Sequence, residues 1–394
     1  VPNLRFNEFS LPWHQMRIID LLSFQNGING TPEQYGKGIK YISVGDILNN
    51  DYITYDKIAG SIDINQETLK NYSVTYGDIL FQRSSEIKED IGRTNVYLDK
   101  DHTATFGGFV IRGKKIGDYN PTFFNYLLKS PSSRQSIVRL GAGAQHYNIG
   151  QENIKTLNFY FPDKEEQQKI ANLFSKIDER IQTQSKIIND YKSLKKWVND
   201  KIYSDLKCEY LSFSSVYVTA KEGGTPSTSK SEYYSGNIPF IKIDDLNKKY
   251  ITENKVNISE QGLSNSSAWI IPKNSVIMSN GATIGNVSIN TYPVSTKQGI
   301  LGIVPKDGVL TEYLYYLLNT TDFRRNLKQV TTKGTIDCAY IKDIDHIKVK
   351  IPELEIQKCI IQILKRIDKK IELELLILDF INKQKQYLLN NLFV

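Results

Sequence analysis

Residues that are able to contact nucleic acid cluster in short polar loops of this sequence. Residues 223–230 combine two glycines with hydroxyl side chains and Lys230, and residues 83–88 combine Arg83 with serines and Lys88. Ser, Thr, Asn and backbone amides commonly contact phosphates, whereas Arg, Gln and Asn can read base edges in the major groove. One such loop is usually a solvated turn, but here they occur in both halves of the chain. The candidate DNA contacts are Arg83, Ser84, Ser85, Lys88, Arg93, Gln145, Tyr147, Asn148, Thr225, Ser227, Thr228, Lys230, Asn280, Thr283, Lys297 and Gln298.

No arrangement of residues in the sequence is typical of a catalytic site. A Gly-rich phosphate loop ending in Gly-Lys-Ser/Thr is missing. Residues 120–123 (Asn-Pro-Thr-Phe) lack the second proline of the amino-methyltransferase signature, so we interpret them as a turn that opens a helix. Residues 106–109 (Phe-Gly-Gly-Phe) are interpreted as a β-turn, and Asp163 with Glu165 suits a helix N-terminus better than a nuclease site. We therefore predict a chain without catalytic residues, bound metal or bound cofactor.

The composition is that of a globular protein. Of 394 residues, 40% are apolar and 24% are charged, and the net charge of +7 permits an anionic partner without requiring one. Three cysteines without a Cys-x-x-Cys pair argue against a disulfide scaffold or a zinc site and favour a reducing compartment. The N-terminus lacks the apolar region of a secretory signal, and the longest apolar stretch, 371–381, contains three acidic residues. We therefore expect a soluble, cytoplasmic protein without membrane contact.

An internal repeat organises the chain. Residues 161–181 align without a gap to residues 351–371, at a constant offset of 190 that matches proline, charged and apolar positions alike. Upstream the similarity is looser, and residues 39–46 resemble residues 238–245 at an offset of 199. The chain is therefore interpreted as two copies of one unit, each a variable block followed by a more similar segment.

Each similar segment is predicted to be a long helix. No proline occurs between residues 163 and 206, and apolar residues alternate at steps of three and four over about five heptads, which is typical of a coiled coil. Polar residues interrupt both series, so Glu374 facing Lys195, or Gln184 facing Lys385, would suit an antiparallel pair. The alternative is that each helix packs on its own block. The predicted seam consists of Ile170, Phe174, Ile177, Ile181, Ile188, Ile360, Leu364, Ile367, Ile371 and Leu378.

The variable blocks have a mixed α/β pattern. Short β-branched runs such as 39–44, 79–81 and 109–112 are bounded by turn residues, and helical stretches are predicted at 122–130 and 311–319. Polar loops separate these elements at 25–38, 82–94, 141–150, 221–237, 279–285 and 331–335. The predicted fold is α/β (α+β), with two globular domains, two long helices in an antiparallel coiled coil, and a pseudo-two-fold repeat. Its predicted domains are 1–160 and 207–350, with helical spacers at 161–206 and 351–394.

This order of elements resembles the DNA-specificity subunit of Type I restriction-modification systems over essentially the whole chain. The stretches that carry the resemblance are Pro2 to Phe6 with Trp13, residues 77–81, residues 223–227 leading to 238–242, residues 296–299, and the Pro-x-x-Glu-x-Gln entry into both helices. One departure is that the paired acids Glu165 and Glu166 become Glu355 and Ile356 in the second copy.

The resemblance implies a non-catalytic subunit that recognises double-stranded DNA. Its two target-recognition domains would each read one half of a bipartite site, and its helices would set the spacer between them. Two modification subunits would supply S-adenosylmethionine and the methyltransferase site, and motor-nuclease restriction subunits would complete the complex. Two alternatives remain open from the residues themselves. One is a self-sufficient DNA methyltransferase or nuclease, and the other is a coiled-coil adaptor whose blocks bind protein.

Overall fold

The computed structural model describes residues 2–281, 283–332 and 337–394. Of the predicted loop 331–335, residues 333–335 lie outside this described part. The chain divides into two compact units. Unit 1 consists of the residues up to Ser185 together with Leu376–Val394, and unit 2 consists of Lys186–Leu375.

Unit 1 contains eleven strands within its described residues. They are β1 (His14–Arg17), β2 (Leu22–Asn26), β3 (Tyr35–Ile42), β4 (Gly60–Ile62), β5 (Ile79–Gln82), β6 (Ser84–Ser85), β7 (Thr94–Val96), β8 (Thr105–Phe106), β9 (Val110–Lys115), β10 (Tyr147–Asn148) and β11 (Asn158–Phe161). Its shorter helices are α1 (Ile18–Leu21), α2 (Val44–Asn49), α3 (Gln66–Asn71), α4 (Pro121–Lys129), α5 (Pro131–Val138) and α6 (Gln151–Ile154). The long helix α7 (Lys164–Asp205) begins in unit 1.

Unit 2 repeats this series of elements. Its strands are β12 (Tyr210–Ser212), β13 (Tyr217–Glu222), β14 (Ile238–Ile241), β15 (Tyr250–Ile251), β16 (Asn257–Ile258), β17 (Val276–Ser279), β18 (Val287–Asn290), β19 (Ser295–Thr296), β20 (Ile300–Pro305) and β21 (Lys348–Lys350). Its shorter helices are α8 (Glu260–Ser264), α9 (Thr311–Leu318), α10 (Thr321–Gln329) and α11 (Ile341–Ile344), and the long helix α12 (Leu354–Asn391) begins here.

The sheets of the two units share one topology. In unit 1 the central sheet has the antiparallel order β2-β9-β5-β7, and in unit 2 the order is β13-β20-β17-β18, with β15 added at the edge. A three-stranded sheet accompanies each, with the order β4-β3-β8 in unit 1 and β16-β14-β19 in unit 2. In both, one pair is parallel, namely β3 with β8 and β14 with β19. The mixed α/β fold and its internal repeat are thus confirmed.

The central sheet of each unit is covered on both faces. In β5, Ile79 and Phe81 join the core that contains the helices, whereas Leu80 joins a second core with residues of the three-stranded sheet. Alternate residues of a strand point to opposite faces, so a strand between two cores is apolar at every position. This explains the continuous apolar run at 79–81. In β17 the division is the same, since Val276 joins one core and Ile277 the other.

Side chains at the helix entries fix where the long helices begin. Asp163 accepts a hydrogen bond from the backbone N–H of Glu166 at 2.8 Å, so this residue of the proposed acid pair is a helix cap. The amide of Gln167 accepts from Asn120 N at 2.9 Å and donates to Pro162 O. In unit 2 the amide of Gln357 makes the equivalent bonds, to Leu310 N and Pro352 O. The repeated Gln therefore ties each helix to the segment before α4 or α9.

The structure explains why the second copy lacks the acid that stands at position 166 of the first copy. Glu166 is fully buried, and both of its carboxylate oxygens accept hydrogen bonds from Arg5, at 2.8 and 2.7 Å. The bidentate pair attaches the N-terminal segment to α7. In the second copy Ile356 is exposed, so no buried carboxylate stands at that position.

The long helices run antiparallel where they meet inside unit 1. Phe174 of α7 stacks on Phe393, which follows α12, with 5.7 Å between the ring centroids. One turn further along α7, Asp178 lies 2.5 Å from Lys385. Asp178 also accepts a hydrogen bond from the hydroxyl of Tyr126 in α4, at 2.5 Å. This carboxylate thus holds both helices and the globular block together.

Unit 2 contains the same group of side chains at an offset of 190. Asp368 of α12 forms an ion pair with Lys195 of α7 and accepts from the hydroxyl of Tyr316 in α9 at 2.6 Å. The ammonium of Lys370 lies 5.8 Å from the ring centroid of Tyr191, which continues the antiparallel order. Lys195 therefore pairs with Asp368, where the sequence suggested Glu374 as its partner.

The predicted seam residues are all at least half-buried. Ile170 and Phe174 belong to the core of the unit 1 block, and Ile360 and Leu364 belong to the core of the unit 2 block. The beginning of each long helix therefore packs on its own block, while later turns contact the other helix. The remaining members are Ile177 and Ile188, which are buried, and Ile181, Ile367, Ile371 and Leu378, which are half-buried.

Replacing Asp178 by Ala should destabilise the protein, because the Lys385 ammonium and the Tyr126 hydroxyl then lose a largely buried acceptor. We expect the free energy of unfolding to fall by about 2–4 kcal/mol, somewhat less than for a fully buried ion pair, because the Lys385 side chain is partly exposed. Urea denaturation of the full chain measures this loss. Asp190→Ala, at an exposed position of α7, is the matched control, and similar losses for both variants would contradict the assigned role.

Candidate nucleic-acid interface

Strands β6 and β10 bring two of the predicted loops together in unit 1. Ser84 pairs with Asn148 and Ser85 with Tyr147 in an antiparallel ladder. The hydroxyl of Ser84 donates to Asn148 Oδ1 at 2.5 Å. Gln145, three residues before Asn148, is exposed. Candidates from 83–85 and from 145–148, which are about 60 residues apart in sequence, therefore share one small surface.

Arg83 joins this surface to a third segment. Its backbone N–H donates to Phe109 O at 2.9 Å, and its guanidinium donates to Gly108 O at 3.2 Å. The side chain of Phe109 is 66% exposed beside these polar groups. The sequence contains a signal for it, an aromatic residue directly after Gly107 and Gly108, but reading these residues as a plain β-turn overlooked its side chain.

The two remaining unit 1 candidates lie beyond the paired strands. Lys88 is exposed in a short 3-10 turn, and Arg93 forms an ion pair with Asp90 in which Nε donates at 2.7 Å. The Arg93 side chain lines a separate cleft of about 440 Å³, together with Lys129 and Arg134. The structure therefore does not place Arg93 in the strip formed by β6 and β10.

In unit 2 the structure brings together loop 223–230 and the segment 297–299. The backbone N–H of Gln298 donates to Thr225 Oγ1 at 3.3 Å, and Gly224 N donates to Thr296 O at 3.1 Å. A Cβ at Gly223 would collide with the backbone of Thr296, so glycine is needed for this close approach. Lys297 and Gln298 are exposed on the rim of the pair.

The other unit 2 candidates differ in exposure. Ser227, Thr228 and Lys230 are exposed, and a hydrogen bond to the Tyr233 hydroxyl raises the pKa of Lys230, which keeps it cationic. Thr283 is exposed as well.

Asn280 corrects the sequence-based assignment. Its side chain is 1% exposed, and its amide donates to Ala339 O at 3.1 Å. This burial separates Asn280 from the exposed candidates, and its amide connects the end of β17 to the segment that contains Ala339. The polar and small residues around it in the sequence gave no indication of this burial.

The cleft beside Arg93 contains two cations that lack carboxylate partners in the described structure. Lys129 donates to the backbone oxygen of Asp51 at 2.7 Å, and Arg134 donates to the backbone oxygens of Gly92 and Ile91 at 2.7 and 2.8 Å. Burial lowers the pKa of Lys129 to about 8 and that of Arg134 to about 10.

The described residues contain no group of three or more His, Cys, Asp or Glu side chains placed to hold a metal ion. Within the same ranges, 2–281, 283–332 and 337–394, no helix combines the length and apolar character needed to cross a membrane.

A family model links this architecture to known proteins. The model of the Type I restriction modification DNA specificity domain matches residues 12–191 and again residues 216–383. The two matches correspond to the two copies of the internal repeat. This family consists of recognition domains and not of catalytic domains, in agreement with the predicted absence of enzymatic activity.

Individual relatives carry the same description. The MjaIX specificity subunit of Methanocaldococcus jannaschii is 35% identical over 42% of this chain, although the match spans 37% of that protein's length. The putative MjaX specificity subunit of the same organism is 25% identical over 96% of this chain and 92% of its own. The crystal structure of a Type I S subunit from M. genitalium covers 100% of this chain and 99% of its own, with a TM-score of 0.52 and 19% identity. This last likeness concerns the fold.

The depressed pKa of Lys129 gives a pH-dependent expectation. Below about pH 8 the ammonium is charged in both the folded and the unfolded chain, and between about pH 8 and its ordinary value of 10.5 the unfolded chain binds more protons. Stability therefore rises with pH across this window. We expect Lys129→Met to remove about 1–2 kcal/mol of this rise, measured by urea denaturation from pH 7 to pH 10. Lys70→Met, at an exposed position, should keep the wild-type profile, and an unchanged profile for Lys129→Met would contradict the expectation.

Proposed function

Because the chain belongs to the family of Type I restriction-modification DNA specificity proteins, we propose that each of its two units reads one half of a bipartite site in double-stranded DNA. The long helices set the spacer between the half-sites. Two modification subunits bind the chain and supply S-adenosylmethionine with the methyltransferase site, and restriction subunits supply the motor and nuclease. The boundaries proposed for the two reading modules are 1–160 and 207–350.

The observation that carries this proposal is one scaffold bearing two different sets of loop residues. The ladder registers of β5 with β9 and of β17 with β20 make Phe109 and Gly299 equivalent, since each directly precedes the strand that pairs with the central one. The parallel pairs β3–β8 and β14–β19 likewise make Gly108 and Gln298 equivalent. A duplicated scaffold with unlike loops is suited to recognising two unlike half-sites, because base contacts depend on side-chain type.

A pair of exposed aromatic residues supports the binding of two identical partner subunits. Trp197 of α7 is 63% exposed and Tyr387 of α12 is 60% exposed, and their offset of 190 makes them equivalent. Leu194 lies three residues before Trp197, and Phe380 lies seven residues before Tyr387, on the same helix face in each case; both are exposed. Exposed aromatic and apolar side chains in one patch are typical of protein interfaces. We assign each patch to one modification subunit.

Exchanging residues 207–350 for the corresponding block of a relative should change one half of the methylated sequence and leave the other half and the spacer unchanged. The physical reason is that the exchange replaces one set of loops and retains unit 1 and both helices. Methylation-sensitive sequencing of cells carrying the chimeric chain with its modification subunit measures the result. Re-insertion of the native block is the control. An unchanged methylome would exclude block 207–350 as a reader, and methylation by the purified chain alone would favour a self-sufficient enzyme.

Replacing Trp197 or Tyr387 by Asp should remove one modification subunit from the complex, because a carboxylate disfavours burial in an apolar contact. The double variant should bind none. Light scattering of the purified mixtures measures the stoichiometry. Lys186→Asp, an exposed substitution on α7 away from Trp197, should leave two bound subunits, and two bound subunits in the double variant would refute the assignment.

A further inference from the structure

Unit 1 has a cleft of about 310 Å³ between the block and α7 that the proposed reading of DNA does not use. Tyr52 and Leu98 form one part of its lining, and Asn125, Tyr126, Asp178 and Glu179 form another. The cleft therefore offers apolar surface next to hydrogen-bond acceptors and negative charge.

The equivalent place in unit 2 is occupied by a lysine of the chain itself. The ammonium of Lys249 donates to the Tyr316 hydroxyl at 2.7 Å and to Asp368 Oδ2 at 3.4 Å. It also lies 3.5 Å from Glu312 Oε1 and 4.4 Å from the centroid of the Tyr316 ring. Unit 2 thus shows which chemical group this arrangement of residues accommodates.

Strand register identifies the residue that stands in place of this lysine in unit 1. Ile53 forms a parallel bridge with Tyr97, and Ile251 forms the same bridge with Asn290. Counting back two residues from each isoleucine makes Asp51 the counterpart of Lys249. The hydrogen-bonded pair Tyr126–Asp178 corresponds to Tyr316–Asp368 at the offset of 190. Two of the three groups around the ammonium, the tyrosine hydroxyl and the aspartate, are therefore retained in unit 1, but Glu312 and the lysine itself are not.

The charges around the cleft also differ between the units. The unit 2 ion pair of Lys365 with Glu312 is replaced at the offset of 190 by Ser175 and Thr122. In unit 1, Glu179 lines the cleft and Asp51 stands at its edge, where Gln182 donates to Asp51 Oδ2 at 3.2 Å. Lys385 forms its ion pair with Asp178 Oδ1, whereas Asp178 Oδ2 accepts the hydrogen bond from the Tyr126 hydroxyl.

The lining of this cleft also contains a buried polar atom without a hydrogen-bond partner. Asn125 is 3% exposed, and its amide nitrogen donates to the backbone oxygen of Asp51 at 3.0 Å. Its Oδ1 has no hydrogen-bond partner within the described part of the chain. A buried acceptor without a donor is costly, so a ligand with N–H donors stabilises this site.

We propose that the unit 1 cleft binds a primary alkylammonium group, in the position that Lys249 occupies in unit 2. The ammonium donates to the Tyr126 hydroxyl, Asp178 and Asn125 Oδ1, and its alkyl chain lies against Tyr52 and Leu98. The group comes either from a lysine side chain of a bound subunit or from a free polyamine. This inference is independent of DNA recognition.

The test compares two monovalent cations on the full chain. The probe n-butylammonium reproduces a lysine side chain, and tetramethylammonium carries the same charge without N–H donors. At equal concentration and ionic strength, n-butylammonium should raise the melting temperature by about 2 °C or more above the value in tetramethylammonium. Equal melting temperatures in the two salts would overturn the proposal.

Variants locate the effect. Glu179→Gln should reduce the difference between the two salts, and Glu372→Gln, the same change at an exposed position of α12 in unit 2, should retain it. The double variant Asp51→Lys/Lys129→Asn copies Lys249 and Asn319 into unit 1 and should abolish the difference, because it supplies its own ammonium. A wild-type response in both Glu179→Gln and the double variant would place butylammonium elsewhere and overturn the proposal.

The same double variant distinguishes the two sources. If a lysine of the modification subunit enters the cleft, the variant binds that subunit at least tenfold more weakly than the wild-type chain does. If a free polyamine enters, putrescine reproduces the melting shift at a lower concentration than n-butylammonium, and subunit binding is unchanged. DNA recognition by either complex is read separately from its methylated sequence.

Discussion

A single carboxylate in each unit, Asp178 or Asp368, joins three elements: its own long helix, the other long helix and the globular block. Each accepts a hydrogen bond from a tyrosine hydroxyl of the globular block and forms an ion pair with a lysine of the other long helix. Apolar seams are tolerant of sliding by one heptad, because leucine and isoleucine contacts repeat. A largely buried ion pair does not tolerate such sliding, because a slip leaves each charge without its partner. The position of the block on its helix and the pairing of the helices therefore depend on the same atoms.

The glutamine repeated at both helix entries also fixes the long helix on its block, at the point where the helix begins. Gln167 and Gln357 each accept a hydrogen bond from one backbone N–H and donate to the oxygen of the proline at the helix entry, and Gln357 donates to Gly308 O as well. Together with the aspartates, they explain why the segment after each block is more similar between the copies than the block itself. The residues that attach each block to the helices must be kept, whereas the loops of the block that do not contact the helices are free to differ.

Periodicity and repetition made much of this fold predictable. The long helices, the strand at 79–81, the helix after Asn120 and the two-fold repeat all follow from patterns that extend over many residues. The partner of Lys195 did not follow, because several acids lie within reach of it along the opposing helix and sequence carries no register. Asn280 was misplaced for a related reason. Its burial depends on a loop that is nearly 60 residues away, and polar composition alone does not distinguish a supporting amide from an exposed one. Phe109 was overlooked because a glycine pair dominates the interpretation of its neighbourhood.

The ion pair of Arg5 with Glu166 bears on how such chains recombine. The two residues are 161 positions apart, and Glu166 is fully buried. A crossover inside α7 after Glu166 keeps them together and exchanges the first block as a whole. A crossover between them joins Glu166 to a foreign N-terminal segment and leaves a buried charge unless that segment brings an arginine of its own. The second copy, with the exposed Ile356, carries no such linkage. Reassortment of the first block is therefore restricted by its own N-terminus, whereas the second block can be replaced without this requirement.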